Sequence, residues 1–201
     1  MLKKFMILVG FVLFLTLVAG CEPEPPEEPV EDPDYYMGYV EEPLAIDGSS
    51  EGYPSDPVEL EFAVVFLAYD EQYIYVYLEA EGEGWVSAGF NQDAPGKDGA
   101  NLVIGFLTDG GTPAFSDEFG EGNIHFEADD AAVNQFYFSR SAGLSIFEFS
   151  YPLVFPAGEG YNIEEIAPGE IYSLLVAVNT ETDDIEIIHT DMELVFFQVQ
   201  P

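Results

Sequence analysis

From residue 43 to the C-terminus the chain never sustains a helical period, because Gly, Asp, Asn and Pro cut it into short apolar runs. The runs cover 59–69, 73–80, 85–90, 102–107, 133–140, 144–153, 171–178, 185–189 and 193–199. Several alternate with period two. Ile74, Val76 and Leu78 oppose Tyr73, Tyr75 and Tyr77, and Phe147, Phe149 and Tyr151 share one face of their run. Successive side chains of a strand point to opposite faces, so this pattern builds half-buried β-strands. β-Branched and aromatic enrichment points the same way. About ten short strands with frequent turn signals predict an antiparallel β-sandwich, with inward aromatics filling the space between two sheets.

Composition decides whether such a core can form. The 201 residues hold 4 Lys+Arg against 39 Asp+Glu, a net charge of −35. That charge alone would favour disorder, but 48% of residues are apolar and 15% aromatic, enough to bury a core. With so few cations to displace phosphate counterions, nucleic-acid binding is excluded as a function. Adhesion to anionic lipid through a basic patch fails for the same reason.

Residues 1–20 read as a removable leader. Lys3 and Lys4 precede an apolar stretch that ends in Leu17-Val18-Ala19-Gly20-Cys21. This resembles the bacterial lipoprotein signal, which implies cleavage before Cys21 and a diacylglycerol on its sulfur. The apolar run is short for a membrane span. Lipid chains would instead hold the protein to an extracytoplasmic membrane face as a cell-envelope lipoprotein. Cys21 is the single cysteine, so lipidation leaves no thiol for disulfides or thiol catalysis. Residues 21–42 carry five prolines and nine acids from Glu22 onward, a composition that predicts an extended, self-repelling tether. Tyr35, Tyr36 and Tyr39 at its end could dock on the domain, which is read as residues 43–201.

The central block is more specific. Gly84-Trp85-Val86-Ser87-Ala88-Gly89-Phe90-Asn91 is followed by Lys97-Asp98-Gly99-Ala100-Asn101, the strand Leu102-Val103-Ile104-Gly105-Phe106, and the turn Asp109-Gly110. This resembles the signature of DOMON domains. Phe147-Glu148-Phe149-Ser150-Tyr151-Pro152-Leu153, Leu175-Val176-Ala177-Val178-Asn179 and the opening Ile46-Asp47-Gly48 match further pieces of that pattern. The resemblance spans about residues 44–199 and implies an Ig-like β-sandwich that binds haem b or, in other branches, sugars. It implies iron ligation by a Met in the loop before the Gly-Ala-Asn segment and a His near the C-terminus. Here that loop offers Lys97, His189 stands at the late position, and no Met occurs between Met37 and Met192.

Several expectations follow. His189 and Lys97 are candidate axial ligands for haem b in electron transfer with a redox partner, facing a vacancy between the two halves of the sandwich. A Lys amine ligates only when deprotonated, from a free pKa of about 10.4, whereas neutral imidazole needs no such help. His125 is read as a loop residue. Trp85 and Phe90 are candidates for stacking on a porphyrin or a sugar, against the alternative that both are core. Carboxylates at 93, 98, 109, 117, 118, 121, 129 and 130 crowd Gly-rich loops and could offer oxygen to calcium, though no calcium-loop spacing appears. Zinc lacks ligands. With two His and no ordered nucleophile pattern, the chain is read as a non-enzyme. The alternative functions are a carbohydrate-binding or adhesion module, or a structural surface protein.

Overall fold

The computed structural model describes residues 33, 35–92, 97–122, 124–128, 131–157 and 161–201. These belong to one compact unit, Asp32–Pro201. The leader, Cys21 and most of the acidic Pro-rich stretch lie outside the described residues.

The unit is all-β, and no helix occurs among the described residues. Twelve strands run in order: β1 Tyr35–Tyr39, β2 Val58–Glu59, β3 Ala63–Tyr69, β4 Tyr73–Glu81, β5 Val86–Asn91 and β6 Asn101–Leu107. They continue as β7 Pro113–Glu121, β8 Ile124–Glu127, β9 Gln135–Ser141, β10 Leu144–Pro152, β11 Ile171–Val178 and β12 Asp191–Val199. One layer has the order β8-β7-β6-β5-β11-β12, the other β3-β4-β10-β9, and β1 joins them. β2 pairs with β3 off this path.

β1 explains how the layers are stitched. Tyr35, Tyr36 and Met37 pair in parallel with Phe197, Gln198 and Val199, then Gly38 and Tyr39 pair in parallel with Ala68 and Tyr69. One short strand thus leaves the first layer and enters the second, a corner of the kind that closes sandwiches. All the other strand pairs are antiparallel. The folded unit therefore begins inside the stretch expected to be a tether, upstream of residue 43. Its tyrosines do more than dock: they extend both sheets.

The alternation seen in sequence becomes the core. Ile74, Val76 and Leu78 from β4 meet Phe147, Phe149 and Tyr151 from β10, and Phe90, Leu174 and Phe197 from the facing layer. Phe90 sits edge-on to Phe155 and Phe197, with ring centroids 6.3 and 6.1 Å away. Each such side chain contributes roughly 1.5–3 kcal/mol by leaving water, plus about 0.5–1.5 kcal/mol per aromatic edge contact. The described residues fill the space between the layers. Aromatic side chains from both layers meet there, and neither Lys97 nor His189 belongs to this cluster, which corrects the expectation that both reach a vacancy between the sheets.

The outer face of the second layer is also covered. Residues 44–56 fold over it, anchored on Glu148, which is fully buried. The amides of Asp47 and Gly48 donate to Glu148 Oε2 at 2.8 and 2.7 Å, and the Tyr53 hydroxyl donates to Oε1 at 3.2 Å. Gly48 adopts a φ of 84°, and a Cβ there would run into the Tyr137 ring. The Ile-Asp-Gly opening is thus an anion-holding turn for an internal carboxylate.

Candidate functional site

The apolar outer face of the first layer has no second sheet over it. On β5, β6, β11 and β12 the residues alternating with the core are Ser87, Leu102, Ile104, Phe106, Leu175, Ala177, Met192 and Leu194. Leu102, Ile104, Leu175 and Ala177 are buried nonetheless, in two small clusters separate from the main core. Trp85, just before β5, packs there with Ile104 and Ala177. These side chains form the floor of a pocket whose remaining walls are Lys97, His125, Ile188, His189 and Met192. The enclosed part measures about 30 Å³, inside a funnel of about 370 Å³ that opens to solvent.

Three segments bring the polar walls over this floor. The first is the turn carrying Lys97. Gly99 donates to the Gly120 carbonyl at 2.8 Å and Gly120 to the Ala100 carbonyl at 2.9 Å, tying the turn to β7. A Cβ on Gly120 would overlap the Lys97 carbonyl, so glycine is required for this close approach.

The second segment is β8. Its register sets His125 opposite Gly120, and Glu118 opposite Leu102, on the same outer face. Nδ1 of His125 makes a close contact with Oε2 of Glu118, and the Ser116 hydroxyl donates to Oε1 at 2.8 Å. In a neutral ring, an acceptor at Nδ1 places the proton there and leaves the lone pair on Nε2.

The third segment is the loop 179–190 between β11 and β12. The region 185–189, whose apolar pattern predicts a strand, is a turn and coil here. Ile185 packs against the Trp85 cluster and Ile188 lines the pocket, instead of entering a sheet. Buried Asn179 organises it: the side-chain amide donates to the Ile188 carbonyl at 2.9 Å, while Oδ1 accepts from the amides of Glu181 and Thr182. Arg140 clamps its middle. The guanidinium donates to both carboxylate oxygens of Asp183 at 2.7 and 2.9 Å, to the Glu83 carbonyl at 2.6 Å and to the Gly84 carbonyl. Arg140 lies over the Phe138 ring, 5.4 Å from its centroid. Asp183 also accepts from the Leu107 amide at 3.1 Å.

Burial governs the electrostatics. It pushes the His189 pKa down, helped by the nearby positive Lys97 and by His125, and opposed by Asp191. His189 therefore favours its neutral, lone-pair form. Burial also pulls Lys97 down, while the charge of Glu118 resists. The indole Nε1 of Trp85, a buried wall residue, has no hydrogen-bond partner.

Lys97 and His189 thus line one pocket, outside the sandwich and not within it. Sequence reasoning misses two further walls. His125 belongs to a strand and not to a loop, and its pattern hides this because β8 is four residues long and mostly exposed. Met192 supplies a thioether three residues after His189, from the strand edge and not from the early loop. Trp85 is 3% exposed and forms part of the wall, whereas Phe90 is 0% exposed on the inner face and packs in the core, away from any ligand. Three of the carboxylates considered for calcium have local partners. Asp117 is buried and accepts from Asn101 at 3.1 Å and the Ala132 amide at 2.7 Å, Glu118 holds His125, and Asp98 accepts from the Gly122 amide at 2.7 Å. Residues 93, 129 and 130 lie outside the described residues. Among the described residues no three His, Cys, Asp or Glu side chains gather as a metal site.

No protein family matches the sequence, and no curated protein matches it. Solved structures resemble the fold. The cytochrome b domain of pyranose dehydrogenase from Coprinopsis cinerea aligns with a TM-score of 0.50 and 12% identity, over 67% of this chain and 75% of that one. A family 9 carbohydrate-binding module from Caldicellulosiruptor kristjanssonii, in complex with cellotriose, aligns at 0.46 and 9%, over 82% and 92%. The same type of module with glucose aligns at 0.44 and 10%, over 82% and 95%. At such identities the likeness is one of fold: the chain shares the β-sandwich architecture of a cytochrome b domain.

Proposed function

We propose that this protein is a membrane-anchored extracytoplasmic lipoprotein whose β-sandwich binds haem b in the pocket over the first layer, without catalysing a reaction of its own. The observation that carries the reading is the convergence of Lys97, His125, His189 and Met192 on one apolar floor. An ion bound solely by protein needs three or four side-chain ligands, and the described residues gather no such set. A porphyrin brings four nitrogens with it, so two protein donors suffice. The donor set fits that requirement, and the buried, unpaired Trp85 N–H would find an acceptor on a bound group. The fold likeness to a cytochrome b domain agrees with it.

Haem b, when bound, supplies one-electron chemistry. The chain's own residues do the rest. His189, whose pKa burial lowers, would hold the iron from the loop before β12, and Lys97 or His125 would supply a second nitrogen. Leu102, Ile104, Leu175 and Ala177 keep water off the floor. The enclosed space is about one water in size, so entry of a macrocycle requires the loop 179–190 to part from the Lys97 turn. Ile188, 70% exposed, lines the mouth on this loop. Electron transfer to a redox partner would follow across this exposed edge, with Cys21 lipidation keeping the domain near a membrane face.

A carbohydrate module would need an aromatic face open to the ligand. At this pocket Trp85 is buried and Phe90 points into the core, so the haem reading is favoured. The test is a hemin titration of the purified full chain followed by visible spectroscopy. The expected result is a saturable Soret band, with affinity weakened about tenfold or more in His189→Ala. A chain that stays colourless with hemin present overturns the reading.

A further inference from the structure

If haem is bound at this pocket, the nitrogen opposing His189 has two candidates, and the surroundings treat them differently. Lys97 stands on a turn, and its amine ends a flexible four-carbon stem. His125 instead stands on a strand, β8. Its Nδ1 is held by Glu118, a residue 3% exposed, and Glu118 is itself held by the Ser116 hydroxyl at 2.8 Å. This is a three-member chain, Ser116 to Glu118 to His125, running along the outer face of β7 and β8. It fixes the ring tautomer and leaves Nε2 as the free donor, the arrangement by which a carboxylate orients a metal-binding imidazole and raises its basicity. His125 and His189 enter from opposite margins of the floor, one from β8 and one from the β12 side.

We propose that His125, oriented by Glu118 and Ser116, is the second axial ligand, so that the pocket holds haem iron between two histidines while Lys97 acts as a neighbouring cation. The inference rests on the haem reading and refines it. Orienting His125 also accounts for a buried carboxylate on a face that no second sheet covers, since among the described residues Glu118 is hydrogen-bonded through its side chain to one imidazole and one hydroxyl, with Lys97 nearby. Lys97, freed from ligation, balances the charge of Glu118 and of any carboxylate on the bound group.

The experiment compares the full chain with His125→Ala, Lys97→Ala and Glu118→Gln, each loaded with hemin and read by visible and electron paramagnetic resonance spectra. The wild type and Lys97→Ala are expected to share a six-coordinate low-spin signature. His125→Ala should lose that signature and bind hemin about tenfold or more weakly. Added imidazole should restore the low-spin spectrum in His125→Ala, which a collapsed pocket would not permit. Glu118→Gln, which keeps the ligand but removes the charge behind it, should retain the low-spin spectrum with a raised midpoint potential. An unchanged spectrum in His125→Ala overturns the assignment and leaves haem binding intact. A loss that imidazole fails to restore also overturns it. Failure of the wild type to take up hemin overturns both this inference and the reading beneath it.

Discussion

Glu148 is a fully buried carboxylate in a protein already crowded with negative charge, and it is held by three donors. Burial raises its pKa, and the hydrogen bonds from Gly48, Tyr53 and Asp47 offset part of that rise. A folded-state pKa above the unfolded one means that the native state binds the proton more tightly. Stability attached to this group is therefore gained as pH falls from neutral through the raised pKa, and lost as pH rises through it. Glu148→Gln cannot titrate, so the wild-type melting temperature should gain on that of the variant between pH 7 and about 4.5, the window just above an ordinary Glu value. A constant difference across that range would contradict the assignment. Glu148→Ala strands two amides and a hydroxyl and is expected to cost about 3 kcal/mol. The Ile-Asp-Gly motif is visible in the sequence, but its partner lies about a hundred residues away, so its purpose is not.

Among elements, the loop 179–190 and strands β7 and β8 decide the site, and they are the ones that periodicity misjudges. Ile185, Ile187 and Ile188 with His189 look like an edge strand, yet Asp184 starts a turn by accepting from the Glu186 and Ile187 amides, and Asp183 is tied to the Leu107 amide, which keeps the segment out of the sheet. β7 runs Pro-Ala-Phe-Ser-Asp-Glu-Phe-Gly-Glu and buries Asp117 and Glu118, so it lacks the apolar alternation that marks a strand. Both acids are partnered, which is a property of neighbours and not of the segment. Arg140 and Asp183 pin the loop, with side chains 6% and 24% exposed. Removing one partner of a mostly buried pair leaves the other uncompensated. Asp183→Ala is expected to lose about 3 kcal/mol of stability and to speed amide hydrogen exchange across residues 179–190. Exchange that stays at wild-type rates would show that the loop is held by Asn179 alone.

At the scale of the molecule, charge and core pull in opposite directions. A net charge of −35 leaves most carboxylates without cations, and their mutual repulsion weakens the compact state. Raising the salt from 0.1 M to 1 M shortens the Debye length from about 10 Å to about 3 Å. The melting temperature should rise with salt, and also with millimolar calcium, and identical values in dilute buffer, salt and calcium would refute this. The strand pattern is legible because alternation is local: one residue pair tells which face is buried, and Phe147, Phe149 and Tyr151 can be assigned to the core unaided. The apolar residues of β5, β6 and β11 alternate less cleanly, since both of their faces are covered. Periodicity therefore cannot reveal that the outer face is a pocket floor.

The chain's own order of residues determined that it is a β protein, that its aromatics would pack two sheets together, and that Lys97 and His189 were worth watching. Tertiary structure alone decided where the pocket lies, that Phe90 turns away from it, that His125 and Met192 line it, and that Glu118 stands behind His125. The physical reason is range. Alternation is set by the backbone of one strand, whereas a binding wall is assembled from loops and strand edges whose meeting depends on every register between them.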